Sequence, residues 1–273
     1  MLIDDFKARY TTIPFATYSR NRKKNTRTYD TVTLFHMHRE VEVFMVLAGE
    51  AQVEIDSSRC LMQAGDIAVI APYTLHRYTL FADRDIHHYC LCFDAELLHD
   101  KQLQVELEQG VMPISCVIKK ERLCGEYVKN AYLAHAAKTS GWEFKVVGNL
   151  SLLFGELKEK GYFNQRAEGR QAVYARIYQY ICDHYGEEIT SRDAAKVFNL
   201  DHSYFCRLFK RNFSEPFQLY LSKFRVEKAR RQLRDTDRSI SEIASEAGFN
   251  SFSYFSKKFK EYVGMTPKEY RNK

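Results

Sequence analysis

Apolar residues recur with a helical period between Thr190 and Val263, and they do so twice. In the first stretch Phe205, Leu208, Phe209 and Phe213 stand at i, i+3, i+4 and i+8, the spacing of one buried stripe on a helix. In the second, Phe255 and Phe259 occupy the equivalent places. A shift of 49 lays Ala195 on Ala244 and Asn199 on Gly248. A shift of 50 lays Ser203-Tyr204-Phe205 on Ser253-Tyr254-Phe255 and Phe209-Lys210 on Phe259-Lys260. The one-residue slip falls in a turn, where an insertion costs least, so each copy reads as helix, tight turn, helix. Thr190 or Ser191 caps the first short helix and Asp201 the second. Upstream, residues 172–185 carry Val173, Ile177, Tyr180 and Ile181 on one helical face.

The period changes to two between Tyr29 and Phe93. Val53 and Ile55 alternate with Gln52 and Glu54, and Cys90 and Cys92 with Leu91 and Phe93. Turns are expected at Gly49, 56–58, Gly65-Asp66, Pro72 and Ala82-Asp83, which makes an antiparallel sandwich or barrel. Helical period returns at 119–161. There Leu123, Tyr127, Val128, Ala131 and Tyr132 mark one helix; Phe144, Val147, Leu150, Leu153, Phe154 and Leu157 mark another. The polar stretch 161–171 reads as a linker. The fold class is therefore α+β: a β-barrel with a helix pair over residues 1–163, then an all-α domain over 171–273.

The outer faces of the repeated helices carry the candidate chemistry. Ser203, Cys206, Arg207 and Lys210 face out in the first copy; Ser253, Ser256, Lys257 and Lys260 do so in the second. A recognition helix in a helix-turn-helix has this make-up and enters the major groove of DNA. Arg225-Val226-x-x-Ala229-x-x-x-Leu233, Ile240-x-x-Ile243-Ala244, Gly248-Phe249, Tyr254-Phe255, Phe259-Lys260 and Thr266-Pro267-x-x-Tyr270-Arg271 follow one another in this region. In these motifs the last hundred residues resemble the DNA-binding domain of the AraC/XylS family of transcription regulators. The resemblance implies a double-stranded promoter as partner, base contacts at Ser203, Cys206, Arg207, Phe252, Ser253, Ser256 and Lys257, and a long helix over 217–234 joining the two units.

Charge agrees with that division. The chain of 273 residues has a net charge of +6, yet residues 165–273 hold 21 Lys and Arg against 14 Asp and Glu. The excess lies where phosphates must be neutralised. No apolar run reaches the roughly 20 residues of a membrane span, and no signal-peptide core is seen, so a cytoplasmic protein without membrane contact is expected. Seven cysteines without a C-x-x-C pair suggest free thiols. Arg20, Arg22, Lys23, Lys24 and Arg27 form a basic cluster, either a solvated arm or a regulatory one.

His36-x-His38-x-x-x-Glu42, seven residues before Gly49, looks like the first cupin motif, and Gly65-Asp66 with Pro72-x-x-x-His76 is similar to the second without its usual glycine. If His36, His38 and Glu42 lie on one strand they share parity and converge inside a barrel. Three readings stand. The set, with Tyr78 and Phe44 as aromatic walls, binds a small polar effector such as a sugar without any cofactor. Alternatively His36, His38, Glu42 and His76 hold a divalent transition metal. In the third reading they are inherited barrel packing. The expected function is a transcription regulator, not an enzyme, answering a small molecule. A metal-dependent cupin enzyme with a tethered DNA-binding domain and a ligand-independent regulator are the rivals. The helix pair resembles the family's dimerisation element, which implies a homodimer with Leu150, Leu153 and Leu157 as its seam; RNA polymerase is a further candidate contact. Packing of that pair on its own barrel is the alternative.

Overall fold

The computed structural model describes residues 15–22, 31–55, 58–81, 85–108, 112–113, 117–164 and 171–272. The chain divides into two compact units that meet at residues 171/172.

The first unit is built on one long strand. Strands β1 (Phe15–Arg22), β2 (Thr31–Val32), β3 (Val41–Ile55), β4 (Ser58–Gln63), β5 (Ile67–Ile70), β6 (His76–Leu80) and β7 (Ile86–Phe93) are all antiparallel. The N-terminal part of β3 pairs with β7 and β5, and its C-terminal part with β4 and β6, so β3 belongs to two sheets. The expected turn at Gly49 does not form. A register shift between Val46 and Ala48 and a positive φ of 80° at Gly49 bend β3 instead and carry it from one sheet into the other. Only glycine fits there: a Cβ would stand 1.7 Å from the Asp85 carbonyl oxygen. The turns expected at Asp56-Ser57 and Ala82-Asp83 lie outside the described residues, as do Lys23, Lys24 and Arg27 of the basic cluster.

Alternation along β3 and β7 separates two cores. Phe44, Val46, Val53, Ile55, Cys90 and Cys92 point between the sheets with Met62, Ile70 and Tyr78. Val41, Val43, Met45, Leu91 and Phe93 point outward and are covered by α1 (Lys101–Glu108), α2 (Arg122–Ala137) and α3 (Trp142–Glu159). Both faces of β3 are thus covered, which explains its unbroken apolar run. Two short strands, β8 (Met112–Pro113) and β9 (Phe163–Asn164), pair with each other. The linker expected at 161–171 is therefore partly strand, and its residues 165–170 lie outside the described residues.

The second unit contains α4 (Gln171–His184), α5 (Ser191–Val197), α6 (His202–Phe213), α7 (Phe217–Asp235), α8 (Ile240–Glu246), α9 (Phe252–Val263) and α10 (Pro267–Arg271). The repeat reaches down to single hydrogen bonds. Thr190 and Ser239 head α5 and α8 with capping boxes closed by Asp193 and Glu242. Both short helices end in a left-handed residue, Asn199 at φ 52° and Gly248 at φ 82°. Leu200 N–H then donates to the Ala195 carbonyl and Phe249 N–H to that of Ala244, at 2.9 and 3.0 Å. Asp201 and Ser251 cap α6 and α9. Five residues separate α8 from α9 and four separate α5 from α6, which places the slip inside the turn. Helix α7 packs Val226, Ala229 and Leu233 into the second unit's core, while its Phe217, Tyr220, Leu221 and Phe224 are buried toward its other end. Nineteen residues rise about 28 Å, comparable with the roughly 34 Å of one DNA turn.

Candidate functional site

Helices α6 and α9 turn their aromatic stripe inward: Phe205, Phe209, Phe213, Phe255 and Phe259 are at most 1% exposed. The opposite face presents Ser203, Arg207 and Lys210 on α6, and Phe252, Ser253, Lys257 and Lys260 on α9, all exposed. Ser256 is half-buried. Cys206 is half-buried too, with Sγ 3.4 Å from Nε2 of His202 and so turned along its own helix. Among the described residues no carboxylate pairs with Arg207, Lys210, Lys257 or Lys260. The neighbouring cations Lys223, Arg230, Arg238 and Lys258 are committed to Glu215, Glu227, Glu246 and Glu261. Arg207, Lys210, Lys257 and Lys260 are thus available to phosphates and guanines. Two exposed tyrosines were not expected there: Tyr204 at 48% and Tyr254 at 50%. Their signal was in the repeat, since they occupy equivalent places on faces otherwise short and polar. Arg225 braces the arrangement, donating from Nε to the Tyr185 carbonyl and from a guanidinium nitrogen to that of Glu187, both at 2.6 Å.

Inside the first unit, the structure brings together His36, His38, Glu42 and His76, which are 2, 7, 1 and 0% exposed. Shared strand parity is not the reason. His36 and His38 precede β3; His36 is fixed by a bridge to His76, whose two backbone bonds are both 2.9 Å, and a bend at Arg39-Glu40 brings His38 back toward Glu42. Tyr78 reaches the same carboxylate from β6, its hydroxyl donating to Glu42 Oε1 at 2.7 Å. Phe44 stacks on Tyr78 and His88, with ring centroids 4.3 and 4.7 Å away.

Backbone carbonyls fix the tautomers. Nδ1 of His36, His38 and His76 lies 2.8, 3.0 and 2.8 Å from the carbonyl oxygens of Leu34, Glu40 and Thr74. A carbonyl only accepts, so each Nδ1 carries hydrogen, and a ring in its neutral form offers its lone pair at Nε2. Nε2 of His38 and His76 stand 3.1 and 3.5 Å from Glu42 Oε2, which is also an acceptor. Lone pairs facing at that range need a proton or a cation between them. His76 Nε2 is buried without any hydrogen-bond partner. Burial, reinforced by His76 and His38, holds the His36 imidazole well below the usual histidine range. Burial works against ionised Glu42, yet His38 and His76 facing it outweigh burial and hold its carboxyl well below the usual range. Burial and the Glu42 charge push Tyr78 up, so it stays a donor.

This donor set fits a divalent transition metal. One ligand atom from each of the four residues lies within 4.8 Å of the others. On a tetrahedral zinc ion with bonds near 2.05 Å, neighbouring ligand atoms sit about 3.3 Å apart, and the two His–Glu spacings bracket that value. The Nδ1–H bonds to backbone are the outer support that metal-bound histidines need.

Two expectations are corrected. Leu150, Leu153 and Leu157 are 0% exposed within their own unit and form no seam. The outer face of α3 carries Phe144 instead, 83% exposed, with Leu152 at 55%. Leu123 on α2 is also exposed, at 39%. The thiols are not all free. Cys60 is disulfide-bonded, while Cys90, Cys92, Cys124, Cys182 and Cys206 are free. Among the described residues no helix is long and apolar enough to cross a membrane.

Both units match known families. Residues 26–147 fit the model of an AraC-like ligand binding domain and residues 194–273 that of a helix-turn-helix domain. The HTH-type transcriptional regulator YdeC of Bacillus subtilis is 26% identical over 95% of this chain and 92% of its own. The melibiose operon regulatory protein of Escherichia coli is 32% identical over 48% of this chain and 41% of its own. ToxT from Vibrio cholerae superposes with a TM-score of 0.57 at 14% identity, covering 94% of this chain and 97% of that one, a likeness of fold.

Proposed function

The chain belongs to the AraC family of DNA-binding transcription regulators, and from that premise we propose that its two reading helices bind a promoter under the control of a metal-holding barrel. The carrying observation is the His36, His38, Glu42 and His76 centre, where Nε2 of His38 and of His76 face one buried carboxylate oxygen and His76 Nε2 has no hydrogen-bond partner. Such a centre presents a site for a divalent cation, and the cation's charge would relieve the facing acceptors. When bound, the ion acts as a Lewis acid toward the four ligands and toward any further donor that reaches it. The chain's own residues do the rest: backbone carbonyls orient the imidazoles, and Tyr78 holds the free oxygen of Glu42. An ion, alone or with a small anionic or hydroxylated metabolite attached, is then the effector. This replaces the cofactor-free pocket expected from the sequence.

A sugar bound directly by the histidines is the second reading. One observation favours it: the melibiose operon regulatory protein is among the relatives. The test is operator binding by fluorescence anisotropy before and after chelation. The metal reading expects chelation to change affinity and Zn2+ or Mn2+ to restore it, with Glu42→Gln and His76→Ala insensitive to both. A response to sugar that survives chelation supports the second reading instead.

We further infer a homodimer, formed through the outer face of α3. Phe144, Gly148, Leu152 and Gly155 share that face, and a Cβ on either glycine would meet nothing within 4 Å. Promoter recognition by two double units, an action in the cytoplasm and a contact with RNA polymerase complete the reading.

A further inference from the structure

The imidazole centre does not account for two thiols on the other side of its carboxylate. Glu42 on β3 faces Cys92 on β7 in the ladder, and Phe44 faces Cys90. All three polar side chains point between the sheets. Oε2 of Glu42 serves His38 and His76. Its Oε1 accepts from the Cys90 thiol at 3.3 Å, and Cys90 Sγ lies 3.6 Å from Cys92 Sγ. Both thiols are free and are 7 and 2% exposed. One oxygen and two sulfurs lie within 4.8 Å of one another, and this set shares Glu42 alone with the histidine set.

The spacing is that of a coordination shell. Around a zinc ion with Zn–S bonds near 2.3 Å, two thiolates sit about 3.8 Å apart and a thiolate and a carboxylate oxygen about 3.5 Å. We propose that Cys90, Cys92 and Oε1 of Glu42 form a second site, for a thiophilic divalent cation of the Zn2+ class, bridged by the Glu42 carboxylate to the ion at His36, His38 and His76. The proposal rests on the reading of the histidine set as a metal site.

The charge balance supports the pair. One dication with three neutral imidazoles and one carboxylate leaves +1 in the interior. A second dication replaces the two thiol protons, which leave to solvent, and adds nothing to that charge: two S–H bonds break, two metal–sulfur bonds form, and nothing is oxidised or reduced. Without thiolates a second ion would bury +3. Sulfur ligands also set preference, because they favour Zn2+ and Cd2+ over the oxygen-seeking Mg2+ and Mn2+. Tyr78 keeps its hydrogen bond to Oε1, which then accepts one proton and one cation in place of two protons.

The test uses the full chain, reduced, stripped by chelation and titrated with Co2+ and Zn2+. Native mass spectrometry counts ions, and near-ultraviolet absorption detects sulfur-to-cobalt charge transfer. The expected result is two ions per chain and a charge-transfer band, falling to one ion and no band in Cys90→Ser/Cys92→Ser. A measurement without substitution runs beside it: Zn2+ should protect Cys90 and Cys92 of the wild-type chain from alkylation, read peptide by peptide. One ion, no band and no protection overturn the thiolate site while the histidine centre stands. No ion at all removes both. A band that persists in the double variant also overturns it, since the sulfur then lies elsewhere.

Discussion

Gly248→Ala separates the two halves of the repeat most sharply. Gly248 sits at φ 82°, where an alanine pays roughly 1–2 kcal/mol for the left-handed conformation alone. Its new Cβ would also stand 2.6 Å from the Tyr185 carbonyl oxygen and 2.9 Å from Nε of Arg225. Those two atoms are hydrogen-bonded to each other at 2.6 Å, and the carbonyl is backbone, so the bond must stretch. A hydrogen bond to a charged group contributes about 1.5–3 kcal/mol. Together the loss is about 2.5–5 kcal/mol, a large share of the 5–15 kcal/mol that holds an ordinary domain. The equivalent first-copy position is the control. Asn199 already carries a side chain at φ 52°, so Asn199→Gly should cost about 1 kcal/mol or less, through the unfolded chain. The assay is urea melting of a fragment starting at Gln171, which should fold by itself because 172–273 closes on its own core. Operator affinity of the full chain is measured in parallel. If Gly248→Ala melts within about 0.5 kcal/mol of wild type, the close approach of the turn, Tyr185 and Arg225 is not what holds α8 against α9.

Arg207→Ala should weaken specific operator binding by about 1–3 kcal/mol and relax sequence preference at one position; equal loss on random DNA would make it a phosphate contact. Phe144→Glu/Leu152→Glu should give a folded monomer by light scattering, whereas Leu153→Glu should unfold the first unit, because it buries an unpaired charge at a 0% exposed site. A dimer that survives the first pair moves the interface elsewhere. Acid should destabilise the ion-free first unit. His36 is held below its unfolded value, so unfolding takes up a proton; the stability present above the unfolded pKa of about 6.5 is lost as pH falls below it, by up to about 1.4 kcal/mol per pH unit. Glu42, also lowered, adds loss at lower pH as it protonates. Differential melting of the two units between pH 7 and 5 checks this: among the described residues the helical unit buries no histidine and should stay level.

The helical unit was legible because several local signals agreed: the Phe205, Phe209 and Phe213 stripe, the caps at Thr190 and Asp201, and a turn residue fit for positive φ in each copy. The barrel was less so. The structure does bring His36, His38, Glu42 and His76 together, but strand parity is not the cause, since a bend and one bridge are not written in periodicity. Leu150, Leu153 and Leu157 show the other limit. A stripe at i, i+3 and i+7 identifies an apolar face and is silent about what covers it; here α2 and the residues packed with it cover that face, leaving Phe144 outside. Gly49 failed for a related reason: a glycine at positive φ ends a strand or bends it, and the partner strands decide which.

A polar interior is a costly way to fill a barrel, and that cost is what makes it useful to a regulator. Apolar side chains in place of His36, His38, Glu42, His76, Cys90 and Cys92 would pack with no unmet lone pairs, whereas each unsatisfied buried group costs about 1–3 kcal/mol. The ion-free state is therefore held above the energy a plain core would reach. A cation that binds the folded centre and not the unfolded chain adds RT ln(1 + [L]/Kd), about 2.7 kcal/mol at a hundredfold excess over Kd. That is the scale of an allosteric coupling free energy, typically 1–3 kcal/mol. On the proposed metal reading, the first unit gives up stability in the sheets' interior and recovers it when the cation binds. The first unit need not move far to act, since β3 carries Glu42 between the sheets and Val41, Val43 and Met45 against the helices.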